Sequence, residues 1–309
     1  MKVLLAGATG AIGRPLTRML HDAGHQVVAL SRGGDQSRAL VDLDVEPIVA
    51  DALDRDALLR ATRGLRLDAV IHELTALRKP PAGHGGMAAT NQLRTSGTRN
   101  LLAVAHETGA TRFVTQSMVF GYGYVDHGDE PLTEASPFGR RRGGPSDRHI
   151  EAMVANERLV LEDPSVEGIA LRYGLFYGAD VQTVRRMLER RSIPVARGAT
   201  HPLSWVHIED AASATLAALE RGRPGAYNVV DDSPTSWARL YSTLAEAIGA
   251  PAPFAVPGWA LRLAAPYLAT MVLDTSMRVS NAKARAELGW EPEHPDFTRA
   301  LGAYVAAGV

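Results

Sequence analysis

The segment Gly7-Ala8-Thr9-Gly10-Ala11-Ile12-Gly13 sets three glycines at a spacing suited to phosphate chemistry. Placed after a strand and before a helix, such a loop lets backbone approach a pyrophosphate, which then sits at the positive helix N-terminus. Gly7, Thr9, Gly10, Ala11, Ile12 and Gly13 are therefore read as dinucleotide-binding. The next apolar run ends in Ser31 and Arg32, where an Asp or Glu would hold a ribose 2′-hydroxyl. A hydroxyl and a guanidinium suit a 2′-phosphate instead, so NADP(H) is favoured over NAD(H) as cofactor.

Other chemistries are excluded or weakened by composition. The chain has no cysteine, which removes disulfides, thiol nucleophiles and Cys-ligated zinc. Its ten histidines form no H-E-x-x-H or similar cluster, so no metal site is expected. Lysine occurs only at Lys2, Lys79 and Lys283, so no tyrosine is followed four residues later by a lysine.

The elements that must carry these residues alternate. Apolar runs at 2–6, 26–30, 45–50, 69–72, 112–116 and 168–172 read as buried strands. Helical spacing falls at 12–23, 55–62, 90–107 and 147–162. This alternation predicts an α/β fold, a doubly wound parallel (Rossmann) sheet. Residues 1–178 form the expected dinucleotide-binding domain and 179–309 a smaller, mainly substrate-binding C-terminal region, with the 205–230 segment able to rejoin the sheet. Asp210, ahead of a helical run, reads as a helix cap.

The 309 residues carry 33 basic and 34 acidic side chains, a balance that argues against a nucleic-acid partner or a polybasic membrane binder. The stretch 254–273 contains Pro257, Arg262 and Pro266 and reads as a core-facing amphipathic segment, not a membrane span. No signal-peptide pattern precedes the first strand, so a cytoplasmic location is expected.

With these motifs in place, the chain resembles the extended short-chain dehydrogenase/reductase superfamily, the NAD-dependent epimerase/dehydratase family. Asp51-Ala52 looks like its adenine-side motif; Val70 to Ala76, with Leu74 and Thr75, looks like its segment beside the cofactor. Asn91 with Gly97-Thr98 resembles its long helix, and Leu171 to Gly178, including Tyr173, its L-R-x-x-x-x-Y-G strand end. Trp205 to Asp210 and Ala282 to Trp290 resemble its later segments. The resemblance implies an NAD(P)-dependent oxidoreductase, epimerase or dehydratase acting on a small polyol, sugar nucleotide or natural-product carbonyl, and a homodimer paired through the two long helices.

Family chemistry uses a Ser or Thr after strand five and a Tyr-x-x-x-Lys pair on the next helix. Aligned on Gly121, the hydroxyl position holds Gln116, with Ser117 one place later; aligned on Glu157, the Tyr and Lys positions hold His149 and Met153. The replacement candidates are Ser117, His149, Tyr122 and Tyr124. An imidazole can move a proton near neutrality, and a helix start would lower its pKa. The simpler alternatives are an exposed first-turn histidine, a strand-end serine and packed loop tyrosines. Arg140, Arg141, Arg142 and Arg148 could hold an anion or simply be solvated. Functionally, a reductase with a non-standard proton donor stands beside a non-redox isomerase or cyclase, and beside an NADP-binding sensor without catalysis.

Overall fold

The computed structural model describes residues 1–34, 40, 45–77 and 81–306; Lys79 lies outside them. Its strands are β1 (Lys2–Ala6), β2 (Gln26–Ser31), β3 (Glu46–Val49), β4 (Ala69–His72), β5 (Arg112–Met118), β6 (Glu167–Tyr173), β7 (Leu175–Tyr177), β8 (Pro194–Ala196), β9 (Trp205–His207), β10 (Gly225–Val229) and β11 (Phe254–Val256). A seven-stranded sheet runs β3-β2-β1-β4-β5-β6-β10, and every pair in it is parallel. The order reverses between β1 and β4, the place where α/β sheets open a ligand crevice at their strand ends.

Continuous apolar runs suit this sheet because helices cover both faces. On one face, helices Gly13–Asp22 and Ile208–Arg221 pack Leu16, Leu20, Ala211, Ala214 and Ala218 against Val3, Leu5 and Ile71. On the other, Leu58, Leu101, Val104 and Val160 cover Leu4, Val28 and Val70. A third apolar cluster joins Val119, Phe120, Tyr122 and Tyr124 to Trp205, Trp237, Tyr267 and Tyr304. The two-stranded sheets β7–β9 and β8–β11 belong to this second half. Of segment 205–230, β10 enters the central sheet, whereas β9 pairs with β7.

Three local expectations are corrected. The helix at 90–107 is not continuous: Ala88–Gln92 and Thr98–Thr108 are separated by a π turn, Leu93–Gly97. The His72 ring nitrogen Nε2 reaches the Leu93 carbonyl at 3.2 Å, and the Thr98 amide also turns to Leu93. A tertiary contact thus competes for the carbonyl of the widened turn. Asp210 does not cap Ile208–Arg221; the His207 ring accepts from Glu209 N. Asp210 instead accepts from the amides of Glu293 and His294, fastening the C-terminal segment. The stretch 254–273 is only half core-facing. Pro266–Leu273 is buried, but the short helix Gly258–Ala264 leaves Trp259 and Leu263 69% and 79% exposed. Pro266 starts a new helix at its N1 position, so the two helices present different faces. Among the described residues no helix is long and apolar enough to cross a membrane.

Candidate functional site

The glycine loop follows β1 and feeds directly into Gly13–Asp22. A Cβ on Gly13 would overlap the Gly7 carbonyl and the Ala8 backbone. Gly7 has φ +114°, and a Cβ there would meet the Glu73 carbonyl at 2.7 Å. No side chain caps this helix and no acidic residue occupies its first turn, so its positive end faces the loop; Arg14 N already donates to Gly10 O at 3.2 Å and Pro15 has no N–H. The cradle fits a dinucleotide pyrophosphate.

The other candidate cofactor residues stand at the carboxyl ends of neighbouring strands. Ser31 closes β2, and its Oγ accepts from Gly33 N at 3.0 Å; Arg32 beside it is exposed. Asp51, just past β3, caps its own turn by accepting from Leu53 N, and the buried Ala52 receives Asn100 Nδ2 on its carbonyl. Leu74 donates its amide to His72 Nδ1. Thr75 Oγ1 lies 3.4 Å from Thr90 Oγ1. Gln116 is half-buried in β5. Tyr173 is fully buried at the end of β6, its hydroxyl 2.6 Å from Thr215 Oγ1 and donating to Glu73 Oε1 at 3.1 Å. Asn91 sits elsewhere, against His149.

The four catalytic candidates separate into two networks. Ser117, buried on β5, donates to Glu157 Oε1 at 2.6 Å. Glu157 also receives Arg172 through Nε at 2.9 Å and Nη2 at 2.7 Å. Arg172 Nη1 donates to the Tyr122 hydroxyl at 2.9 Å, and its guanidinium carbon lies 3.8 Å from the Phe138 ring centre. Tyr122 reaches Asn228 Oδ1 at 2.8 Å and the Thr133 carbonyl at 2.9 Å. Burial works against the Arg172 cation, but its bonds to Glu157 win and raise its pKa.

His149 and Tyr124 occupy the second network. His149 is not an exposed first-turn residue: it is fully buried on the Asp147–Leu161 helix. Its Nδ1 lies 3.0 Å from Asn91 Nδ2, and its Nε2 lies 3.0 Å from His84 Nδ1. With Asn91 donating, His149 carries its proton on Nε2 and donates to His84. The two imidazoles stack at 5.3 Å, and Tyr267 meets His149 edge-on at 5.4 Å. The Tyr267 hydroxyl lies 3.1 Å from that of Tyr124. Desolvation foremost, then the charges of His84, Arg148 and Arg94, lower the His149 pKa to about 4. The ring is therefore neutral at neutral pH.

Residue-by-residue reading missed His84, Arg94, Tyr267 and Glu73. His84 is a lone histidine in a glycine-rich loop, and Tyr267 lies far along the chain. Arg94 had a faint signal, a cation on the inward stripe with Thr90 and Leu101. Glu73, between His72 and Leu74, has a buried Oε2 without a partner, and desolvation raises its pKa to about 8. Of the loop arginines, Arg141 pairs with Glu151 and Arg142 with Asp274. Among the described residues His207, Asp210 and His294 could converge on an ion. Their atoms are partly engaged by backbone, and His207 and His294 stack at 3.7 Å, an arrangement that serves the C-terminal seam.

Comparison with known proteins places this geometry. Residues 3–230 match the NAD dependent epimerase/dehydratase family. The chain is 37% identical to a 3-diazoavenalumate denitrifying reductase from a Streptomyces species, over 98% of this chain and 99% of that one. It is 29% identical to a 2-alkyl-3-oxoalkanoate reductase of Stenotrophomonas maltophilia, over 81% and 77%. Among solved structures it resembles a dTDP-glucose 4,6-dehydratase of Streptomyces venezuelae with bound NAD, at TM-score 0.80, 21% identity and 99% and 96% coverage. A UDP-glucose 4-epimerase of Thermotoga maritima superposes at TM-score 0.79, with 20% identity and 100% and 98% coverage.

Proposed function

This chain belongs to the NAD dependent epimerase/dehydratase family, and on that premise we propose that it is an NADPH-favouring reductase whose substrate is a small diazo compound. The observation that carries the reading is the proton chemistry at the His149 position. Reduction of a carbonyl leaves an alkoxide, which needs a well-placed proton donor such as the family's lysine-assisted tyrosine. No tyrosine here has a lysine four residues on, and the His149 pKa of about 4 leaves no imidazolium at neutral pH. A diazo group departs as neutral dinitrogen, so no alkoxide forms. The similarity to a denitrifying reductase over nearly the whole chain supports the same class.

Gly7 to Gly13 would hold the pyrophosphate, and Ser31 with Arg32 the adenosine side. When bound, the nicotinamide supplies a hydride. In the balanced reaction the C–N bond breaks, its electron pair leaves with dinitrogen, the hydride forms the new C–H bond, and one proton neutralises the negative charge of the conjugated diazo substrate. The His149–His84 pair moves the proton, since His149 is buried and His84 half-buried. Tyr124 and Tyr267 line the same cluster, and the substrate's unsaturated face would pack on them.

The test is to titrate the protein with NADPH and NADH, then supply aryl diazo carboxylates and matched ketones while measuring cofactor oxidation and dinitrogen. Dinitrogen equal to cofactor oxidised is expected. Oxidation with ketones alone would overturn the diazo assignment, and cofactor binding with no oxidation would overturn the reductase.

A further inference from the structure

Arg94 lies in the π turn Leu93–Gly97 and is only 9% exposed. Among the described residues no carboxylate pairs with it and no hydrogen bond uses its guanidinium. Its charge acts on His72, Tyr124, His149 and Tyr267, which come from β4, the loop after β5, the Asp147–Leu161 helix and the Pro266–Leu273 helix. Each of these is an aromatic ring and none is a carboxylate. A buried cation without a counter-ion is costly, and a guanidinium cannot shed its charge as an acid can. Nearby, Asn91 Oδ1 is a buried polar atom without a partner. Widened helical turns of this kind recur at functional sites.

We propose that Arg94 is the anchor for an anionic group of the substrate, a carboxylate on a planar unsaturated skeleton, seated beside His149 and against Tyr124 and Tyr267. This rests on the reductase reading for the word substrate, but the site is defined by binding alone. Arg94 orients the molecule, and the anion it receives supplies the charge that the fold leaves uncompensated. A planar fork gives bidentate contact to a carboxylate, so lysine should substitute poorly.

The experiment uses NADP-loaded protein and calorimetric titration with 4-hydroxycinnamate and its methyl ester, in the native chain, Arg94→Lys and Arg94→Met. The acid should bind the native chain more tightly than the ester. Arg94→Met should weaken the acid about 30-fold or more and leave the ester and NADP affinities unchanged. Its melting temperature should hold or rise, because an unpaired buried charge is removed. Equal binding of acid and ester, or an Arg94→Met chain that melts lower with the acid still bound, would overturn the anion site. Acid binding that depends on Arg94, with no cofactor oxidation by diazo compounds or ketones, would retain the site and sink the reductase reading. Diazo turnover indifferent to Arg94 would do the reverse.

Discussion

Arg172 and Arg94 are both buried arginines, and the protein treats them in opposite ways. Arg172 has Glu157 across three hydrogen bonds from two nitrogens, the Tyr122 hydroxyl on the third nitrogen, and the Phe138 ring over its face. Arg94 has aromatic rings around it and no counter-ion among the described residues. With a partner on every Arg172 nitrogen and its charge matched by Glu157, this network holds β5, β6 and the Asp147–Leu161 helix in place. An unsaturated cation is tolerated only where something arrives to neutralise it. Position alone would not separate them, since both stand near the strand ends.

The contrast breaks most sharply at Glu157. Glu157→Gln leaves Arg172 with the problem Arg94 already has, in a place no ligand reaches. Stability should fall by about 3–5 kcal/mol in urea denaturation, while Arg94→Met should not fall at all. A mild Glu157→Gln would erase the distinction between the two regions.

Within the open cluster the effect moves from stability to turnover. His149→Phe keeps an edge-on ring against Tyr267 but removes the bridge from Asn91 to His84. Turnover of the diazo substrate should drop about 100-fold, with NADPH affinity intact. Because desolvation holds the His149 pKa at about 4, the native rate should stay flat from pH 8 down to pH 5. A rate that halves near the ordinary histidine pKa would show that the ring is charged in the working enzyme.

Glu73 shows what an acid can do that Arg94 cannot. It too is buried with an unpartnered atom, but it becomes neutral, its pKa raised from 4.5 to about 8 by desolvation. A raised folded-state pKa gives stability that is fully present below the unfolded value and lost as pH climbs through the folded one. Between those values the native chain should lose on the order of 1 kcal/mol per pH unit relative to Glu73→Gln. Denaturation of both proteins across that range isolates this group, because the other titrations cancel. A constant difference would mean Glu73 is ionised and has a partner.

The sheet was legible because its signals are local. β1 is a run of apolar residues ending in glycine, and Gly7 and Gly13 sit where a Cβ has no room. The two arginines look alike in sequence because what separates them is remote: Glu157 for one, and for the other rings brought from His72, Tyr124, His149 and Tyr267. The π turn was hidden for a related reason, since the competing contact to Leu93 comes from His72. Three-residue strands such as β8 and β11 are too short for any period to register, and each exists only against the other.

The smallest effect should come from Ser117, which family spacing puts beside the chemistry. In the structure its hydroxyl is spent on Glu157, inside the saturated network. Glu157 keeps its bonds to Arg172 when Ser117 becomes alanine, so the acid stays compensated. Ser117→Ala should therefore lower stability by about 1 kcal/mol and leave turnover unchanged. A loss of turnover at full stability would place Ser117 with His149, and the two networks would then have to be read as one site.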